Sequence, residues 1–152
     1  MVDTFKYDWD GKEWQSFALQ LIRQRHGATN VQRVPDADRG DMGLEAFTIT
    51  DGCLYQCYAP LYTSQIAERT RKIRAKMNMD IGKLLRNADR VREMLGSLSV
   101  LRWILLVPQF DSKEVIKTCV TATRRVENAG LSFIADGFRV MIADQEDFVA
   151  ET

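Results

Sequence analysis

Residues 40–60, GDMGLEAFTITDGCLYQCYAP, decide the fold because they have the chemistry of a β-hairpin. Two β-prone runs, residues 44–50 and 53–58, flank the dipeptide Asp51-Gly52. Asp-Gly between such runs is a strong hairpin signal, since both central residues of a tight primed turn need positive φ. We therefore predict two antiparallel strands joined by a two-residue turn, with the glycine-rich start of the stretch leading into the first strand.

The remaining elements follow from hydrophobic periodicity and from cap residues. In chain order they are a helix opened by the capping-box spacing Asp10–Glu13 and ended by Gly27, a short strand 30–34, helices 64–86 and 88–95, a nearly continuous apolar strand 100–107, a helix from 111 to about 129 and a strand 138–143. The order α-β-β-β-α-α-β-α-β predicts an α/β fold in which a mixed sheet has helices on both faces. The expected architecture is a three-layer αβα sandwich.

The length and amino-acid composition of the chain favour one ordinary globular domain spanning residues 1–152. The chain is 45% hydrophobic and 28% charged, and its formal net charge is +0. Its longest apolar run is too short to cross a bilayer, and the N-terminal residues lack the apolar core of a signal peptide. These features predict a cytoplasmic protein that does not enter membranes.

Three cysteines and one histidine are too few for a zinc site, so we interpret the cysteines as small buried hydrophobes.

Polar residues stand out on the predicted hairpin. Strand alternation places Gln56 and Tyr58 on one face and Cys57 on the other. Glu45 begins the neighbouring strand, so we expect its carboxylate and the Gln56 amide to lie side by side at one end of the sheet. Both supply hard oxygen ligands of the kind that Mg²⁺ prefers. The hairpin therefore predicts a site for a divalent cation.

These residues resemble the PD-(D/E)xK nuclease superfamily, which has the restriction-endonuclease-like fold. Residues 40–45, GDMGLE, followed by 56–58, QCY, are similar to the core of the Mrr-type nucleases, which reads roughly G-D-x-G-[IN]-D and then Q-C-K. Residues 56–60, QCYAP, 76–83, KMNMDIGK, and 103–108, WILLVP, resemble a defence-associated bacterial subset. The resemblance covers most of the chain, from residue 14 to residue 148.

The resemblance implies a metal-dependent nuclease that hydrolyses DNA in anti-phage or mobile-element defence, together with a protein partner or as a homodimer. Glu45 and Gln56 match the metal-binding positions, and Asp41 is a further candidate ligand for Mg²⁺ or Mn²⁺. Tyr58 replaces the signature lysine, so the catalytic cation would have to come from the long helix. Lys76 is the first candidate, with Lys72 as a second, because the lysine can migrate to a nearby helix in this superfamily.

A local excess of basic residues lies between Arg69 and Arg92, with nine bases against two acids in a chain of zero net charge. This asymmetry suits contacts to a phosphate backbone, which would weaken steeply with salt. The residues that we expect to contact DNA are Arg69, Lys72, Lys76 and Lys83.

Each of these features also has a purely structural interpretation. Asp41 is a common turn residue, Glu45 suits a solvated strand end, and Gln56 could cap a backbone group. The basic stretch could be a salt-bridged surface or a docking face for an acidic protein. Without the signature lysine, the chain could also be a catalytically degenerate nuclease fold that acts as a nucleic-acid-binding or scaffold subunit, or a plain interaction module.

Overall fold

The computed structural model describes residues 5–35, 42–61 and 64–149. The elements in chain order are α1 (Gly11–His26), β1 (Val31–Arg33), β2 (Ala46–Thr48), β3 (Cys53–Cys57), α2 (Ile66–Arg86), α3 (Ala88–Leu95), β4 (Val100–Val107), α4 (Lys113–Asn128), β5 (Ile134–Asp144) and α5 (Gln145–Val149), with a 3-10 turn at Ala28–Asn30. The order of helices and strands predicted from the sequence is confirmed. The short helix α5 and the 3-10 turn are additions to it.

The five strands form one mixed sheet in the order β1-β2-β3-β4-β5. β1, β2 and β3 pair antiparallel, whereas β3, β4 and β5 pair parallel. The parallel pairs need crossovers, which α2 with α3 and then α4 provide. Since the strands follow one another in the same direction across the sheet, crossovers of one hand place these three helices on one face.

Two separate hydrophobic cores lie against the two faces of the sheet. The larger core packs α2, α3 and α4 against residues such as Leu54 and Trp103. The smaller core packs α1 and Phe148 of α5 against Tyr55 and Leu106. Indole hydrogen bonds fix each layer, since Trp14 donates to the Leu106 carbonyl and Trp103 to the Gly43 carbonyl, both at 3.0 Å. The molecule is therefore an α/β fold with helices on both faces of a mixed sheet.

The hairpin loop is longer than the sequence predicted. Phe47 lies opposite Leu54, and β2 and β3 are joined by the four residues 49–52. Asn30, which precedes β1, accepts hydrogen bonds from the amides of Ile49 and Thr50 through its side-chain oxygen, at 3.0 and 2.8 Å. This long-range cap stabilises the wider loop, so the predicted two-residue turn is wrong.

The last strand, β5, is an edge strand whose amide groups are partly capped by side chains. The Val140 amide donates to the Thr123 hydroxyl of α4, and the Asp144 amide donates to the Asp147 carboxylate, both at 2.9 Å. Such caps reduce the tendency of a long edge strand to pair with another chain.

Among the helices of the described segments, none combines the length and the apolar character needed to span a membrane.

Candidate functional site

Glu45 lies just before β2, where the strand alternation is interrupted. The Glu45 amide donates to the Tyr55 carbonyl at 2.7 Å, and Ala46 is also paired with Tyr55. Glu45 and Ala46 on one strand therefore lie opposite the single residue Tyr55 on the other, which is the arrangement of a β-bulge. A bulge redirects side chains at the end of a strand. As a result, the Glu45 carboxylate interacts with the Cys57 thiol on the α1 face. Burial and the Glu45 charge raise the pKa of Cys57 well above its usual range.

Gln56 points to the opposite face of the sheet. It follows Leu54 and precedes Cys57 along β3, and consecutive strand positions alternate between faces. Its side chain is 1% exposed, and its Oε1 accepts a hydrogen bond from the Cys57 amide at 3.2 Å. The acid and the amide that the sequence analysis expected side by side are therefore on opposite sides of the sheet.

The predicted metal ligands do not fit one ion in this arrangement. Glu45 and Gln56 face away from each other, and Asp41 lies outside the described residues. Within residues 5–35, 42–61 and 64–149, no three His, Cys, Asp or Glu side chains gather in a way that could hold a metal. We therefore derive no chemistry through Mg²⁺ or Mn²⁺.

Lys76 does reach the end of β3 on the Gln56 face. Its ammonium lies 5.5 Å from the centroid of the Tyr58 ring and 3.3 Å from the Asp80 carboxylate. Lys83 approaches the other oxygen of the same carboxylate at 3.8 Å. Asp80 is completely buried, and its charge adds to burial in raising the pKa of Tyr58. The predicted migrated lysine is thus near the expected strand, where it shares a buried carboxylate with Lys83.

The other predicted nucleic-acid contacts are also ion-paired. The Arg69 side chain is buried, and its Nε donates to the Asp111 carboxylate at 2.9 Å. This position fastens the start of α2 to the loop after β4 and leaves no surface for the predicted phosphate contact. Lys72 lies 3.9 Å from Glu68 on the exposed side of α2.

A group of arginines that the sequence analysis did not single out lies along the groove between α2 and α4. The Arg74 Nε donates to the Thr118 hydroxyl at 2.8 Å, and the Arg125 Nη1 donates to the Asn78 carbonyl at 3.1 Å. In the described segments, the ion pairs involve neither these two arginines nor Arg86. We call this surface the α2–α4 groove, and its residues are Arg74, Asn78, Gly82, Arg86, Thr118 and Arg125.

The sequence signal for this groove is a spacing of four along α2. Residues 74, 78, 82 and 86 recur every fourth position, so they lie in one row on the helix surface. The long-range partner Arg125 could not be assigned to that row from the sequence, because nothing in the sequence specifies which face of α4 lies beside α2.

The only histidine, His26, joins three segments on the other side of the sheet. Its Nδ1 lies 2.5 Å from the Asp51 carboxylate and its Nε2 lies 2.7 Å from the Tyr55 hydroxyl. The hydrogen bond from His26 is the main cause that lowers the pKa of Asp51. Tyr55 is 1% exposed, so the hydroxyl is shielded from any substrate in solution. We interpret this network as a structural connection between the end of α1 and the hairpin.

The carboxyl ends of the parallel strands, where α/β proteins commonly bind ligands, are acidic in this molecule. Burial, with a further contribution from Asp147, raises the pKa of Asp144 to about 6. Asp111, at the same end of the sheet, forms an ion pair with Arg69. This end of the sheet therefore disfavours phosphate.

Comparisons with family models, with curated proteins and with solved structures find no match for this chain. The resemblance to the PD-(D/E)xK superfamily consequently depends on its sequence motifs. The order and pairing of the strands are compatible with an αβα fold.

Proposed function

We propose that this chain is a restriction-endonuclease-like domain that binds the phosphate backbone of nucleic acid without cutting it, as a subunit of a defence assembly. The observation that supports binding is the α2–α4 groove, where Arg74, Arg86 and Arg125 have no acidic partner among the described residues. A guanidinium is the side chain best suited to bidentate recognition of phosphate. The defence role is supported by the sequence resemblance alone.

The geometry of the groove suits a polyanion. Arg74 and Arg86 are twelve residues apart on α2, so they are separated by roughly 18 Å along the helix axis. Arg125 approaches the same row from α4, beside Gly82. Cations spread over this length can contact phosphates several nucleotides apart on one strand, whereas a single small anion would engage only part of the row.

The absence of cleavage is supported by the arrangement around the hairpin. A metal-dependent nuclease needs its acid and its second ligand on one side of the sheet, close enough to bind the same ion. Here Glu45 interacts with Cys57 and Gln56 lies on the opposite face. Lys76 is ion-paired with Asp80, which it shares with Lys83.

Binding can be tested by fluorescence anisotropy with labelled single-stranded and double-stranded oligonucleotides. We expect the triple variant Arg74→Gln/Arg86→Gln/Arg125→Gln to lose about tenfold or more in affinity, with a weaker dependence on salt. The matched control is Lys12→Gln/Arg23→Gln/Arg33→Gln, which removes the same charge from exposed residues outside the groove. Equal losses in both variants, or no binding by the wild-type chain, would refute the proposal.

A metal-dependent nuclease is the second candidate, favoured by the position of Lys76 beside Tyr58 at the end of β3. The test is incubation of the pure protein with plasmid DNA and Mg²⁺ or Mn²⁺, beside Glu45→Ala and Lys76→Ala. Nicking that both substitutions abolish would replace the non-cutting proposal with the nuclease. Intact plasmid in all samples supports a binding domain, and equal nicking by all three proteins indicates a contaminant.

A further inference from the structure

Gly82 lies in the middle of α2 beneath two guanidinium groups. A Cβ at this position would lie 3.1 Å from the Nη1 of Arg86 and 3.2 Å from the Nη2 of Arg125. Both nitrogens therefore lie against the glycine and cover it. Two cations held over the same residue repel each other, and an anion that contacts both offsets that repulsion.

The conformation of the helix does not explain the glycine. Gly82 lies within the regular helix Ile66–Arg86 and has no positive φ. Glycine is unfavourable relative to alanine in a helix interior, because it loses more conformational freedom on folding. The missing side chain instead leaves the space into which the two guanidinium groups converge.

We propose that Arg86 and Arg125, which lie together over Gly82, form a clamp for one phosphate group on their solvent-exposed side. Two guanidinium forks can donate to several oxygens of a tetrahedral phosphate, and charge-assisted bonds of this kind are strong. Arg125 is already positioned for this role, because its Nη1 donates to the Asn78 carbonyl while its Nη2 lies over Gly82. The clamp rests on the proposed function and specifies where in the groove a backbone phosphate binds.

Another explanation for these arginines is that they stabilise helix ends. Arg86 and Arg125 lie in the last turns of α2 and α4, where cations interact favourably with the negative end of the helix dipole. Arg92 has this role in α3, since it lies in the last turn and donates to the Gly96 carbonyl. Arg92→Gln is therefore the control that removes a helix-end arginine without touching the clamp.

The decisive variant is Gly82→Ala, because the added Cβ displaces both guanidinium groups from their positions and keeps every charge. The added Cβ meets only the ends of flexible arginine side chains, so the helix should remain folded. We expect unchanged or higher thermal stability and about fivefold to tenfold weaker binding of a labelled oligonucleotide, comparable to the loss of one charge-assisted contact. Arg86→Gln/Arg125→Gln should weaken binding further, and Arg92→Gln should bind as the wild type does.

Titration with pyrophosphate, followed by NMR or calorimetry, separates the clamp from the proposed function. If Gly82→Ala and the double variant bind oligonucleotide as tightly as the wild type, the clamp is refuted and backbone binding elsewhere stands. If the wild type binds pyrophosphate in a way that Gly82→Ala weakens, but binds no oligonucleotide, the clamp stands for a free phosphate and the proposed function fails. Should Gly82→Ala lose stability, the double variant alone decides between these outcomes.

Discussion

Helix α2 has two kinds of cationic surface, and the contrast between them explains more than the number of basic residues. On one flank, Lys76 and Lys83 surround the completely buried carboxylate of Asp80. On the other, Arg74 and Arg86 line the groove beside α4, where no acid of the described residues pairs with them. On the lysine flank one carboxylate offsets one of two ammonium charges, whereas on the arginine flank no acid of the described residues forms an ion pair with the guanidinium groups.

This difference shows why a charge count is a poor guide to a binding surface. The stretch from Arg69 to Arg92 has nine bases and two acids, which suggests one continuous basic patch. In the folded molecule the acids are not shared equally, because the buried Asp80 pairs with both Lys76 and Lys83 and offsets one of their two charges. Buried or partly buried pairs chiefly affect stability, while exposed unpaired cations affect association with anions. The two flanks should therefore respond differently to mutation.

The largest effect is expected from Asp80→Asn, which removes the buried negative charge. Lys76 and Lys83 would then lack their common partner, and breaking a buried ion pair costs about 3 kcal/mol of unfolding free energy, reduced to the extent that both ammonium groups can turn to solvent. Denaturant unfolding measures this loss, and Arg86→Gln provides the comparison on the other flank. A stability equal to that of the wild type would show that Asp80 and the lysines do not form a stabilising cluster.

Asp144 has a buried negative charge, and removing this charge should stabilise the protein, in contrast to the removal of the Asp80 charge. The pKa of Asp144 is raised to about 6 by burial and by Asp147. The folded state therefore holds this proton more tightly than the unfolded chain, and the stability that protonation contributes is lost as pH rises from about 4 to about 6. Asp144→Asn should stabilise the protein by about 2 kcal/mol at pH 7.5 and have little effect near pH 4.

Unfolding by denaturant at both pH values tests this prediction. The Glu146 amide donates to the Asp144 carboxylate at 3.0 Å, and an asparagine oxygen can accept the same bond. The substitution therefore removes the charge and keeps this hydrogen bond. A gain that is the same at both pH values would contradict the raised pKa, because it would not depend on ionisation.

The His26 network on the α1 face should give an intermediate effect. His26→Ala leaves the buried Tyr55 hydroxyl without its bond to the imidazole, a loss of about 1–2 kcal/mol in unfolding free energy. Tyr55→Phe removes the hydroxyl itself and leaves the contact between His26 and Asp51 in place, so it should cost less. The order of the two losses is the test, and a loss for Tyr55→Phe as large as that for His26→Ala would contradict the expectation that an unpaired buried hydroxyl costs more than its removal.

Hydrophobic periodicity predicted most of the fold, because it reports which side of each element is buried. The apolar run 100–107 and the helical segment 88–95 end at Pro108 and Gly96, and both have the predicted bounds in the structure. The hairpin loop was less predictable, because it is capped by Asn30, about twenty positions earlier in the chain. Local turn preferences do not include such a distant partner.

The candidate site was harder to predict than the fold, for two physical reasons. Strict alternation placed Glu45 beside Gln56, and the extra residue opposite Tyr55 turns Glu45 toward Cys57 instead. A single bulge reverses such an inference, because the side-chain period of a strand is two residues. The pairing of charges between distant segments, such as Arg69 with Asp111, likewise depends on packing that a one-dimensional pattern does not contain.

The smallest expected effect on stability belongs to the arginine flank. Arg86→Gln/Arg125→Gln removes two exposed cations that have no ion pair in the described segments, so the unfolding free energy should change by no more than about 0.5 kcal/mol. The same variant should reduce the salt dependence of oligonucleotide binding, lowering the slope of log affinity against log salt by roughly 0.7 to 0.9 for the one phosphate that both arginines contact. Denaturant unfolding and anisotropy across a salt series measure the two quantities on one sample. A large loss of stability with an unchanged slope would show that these arginines stabilise the fold as the lysine flank does. The distinction between ion-paired lysines and arginines without an ion pair would then be wrong.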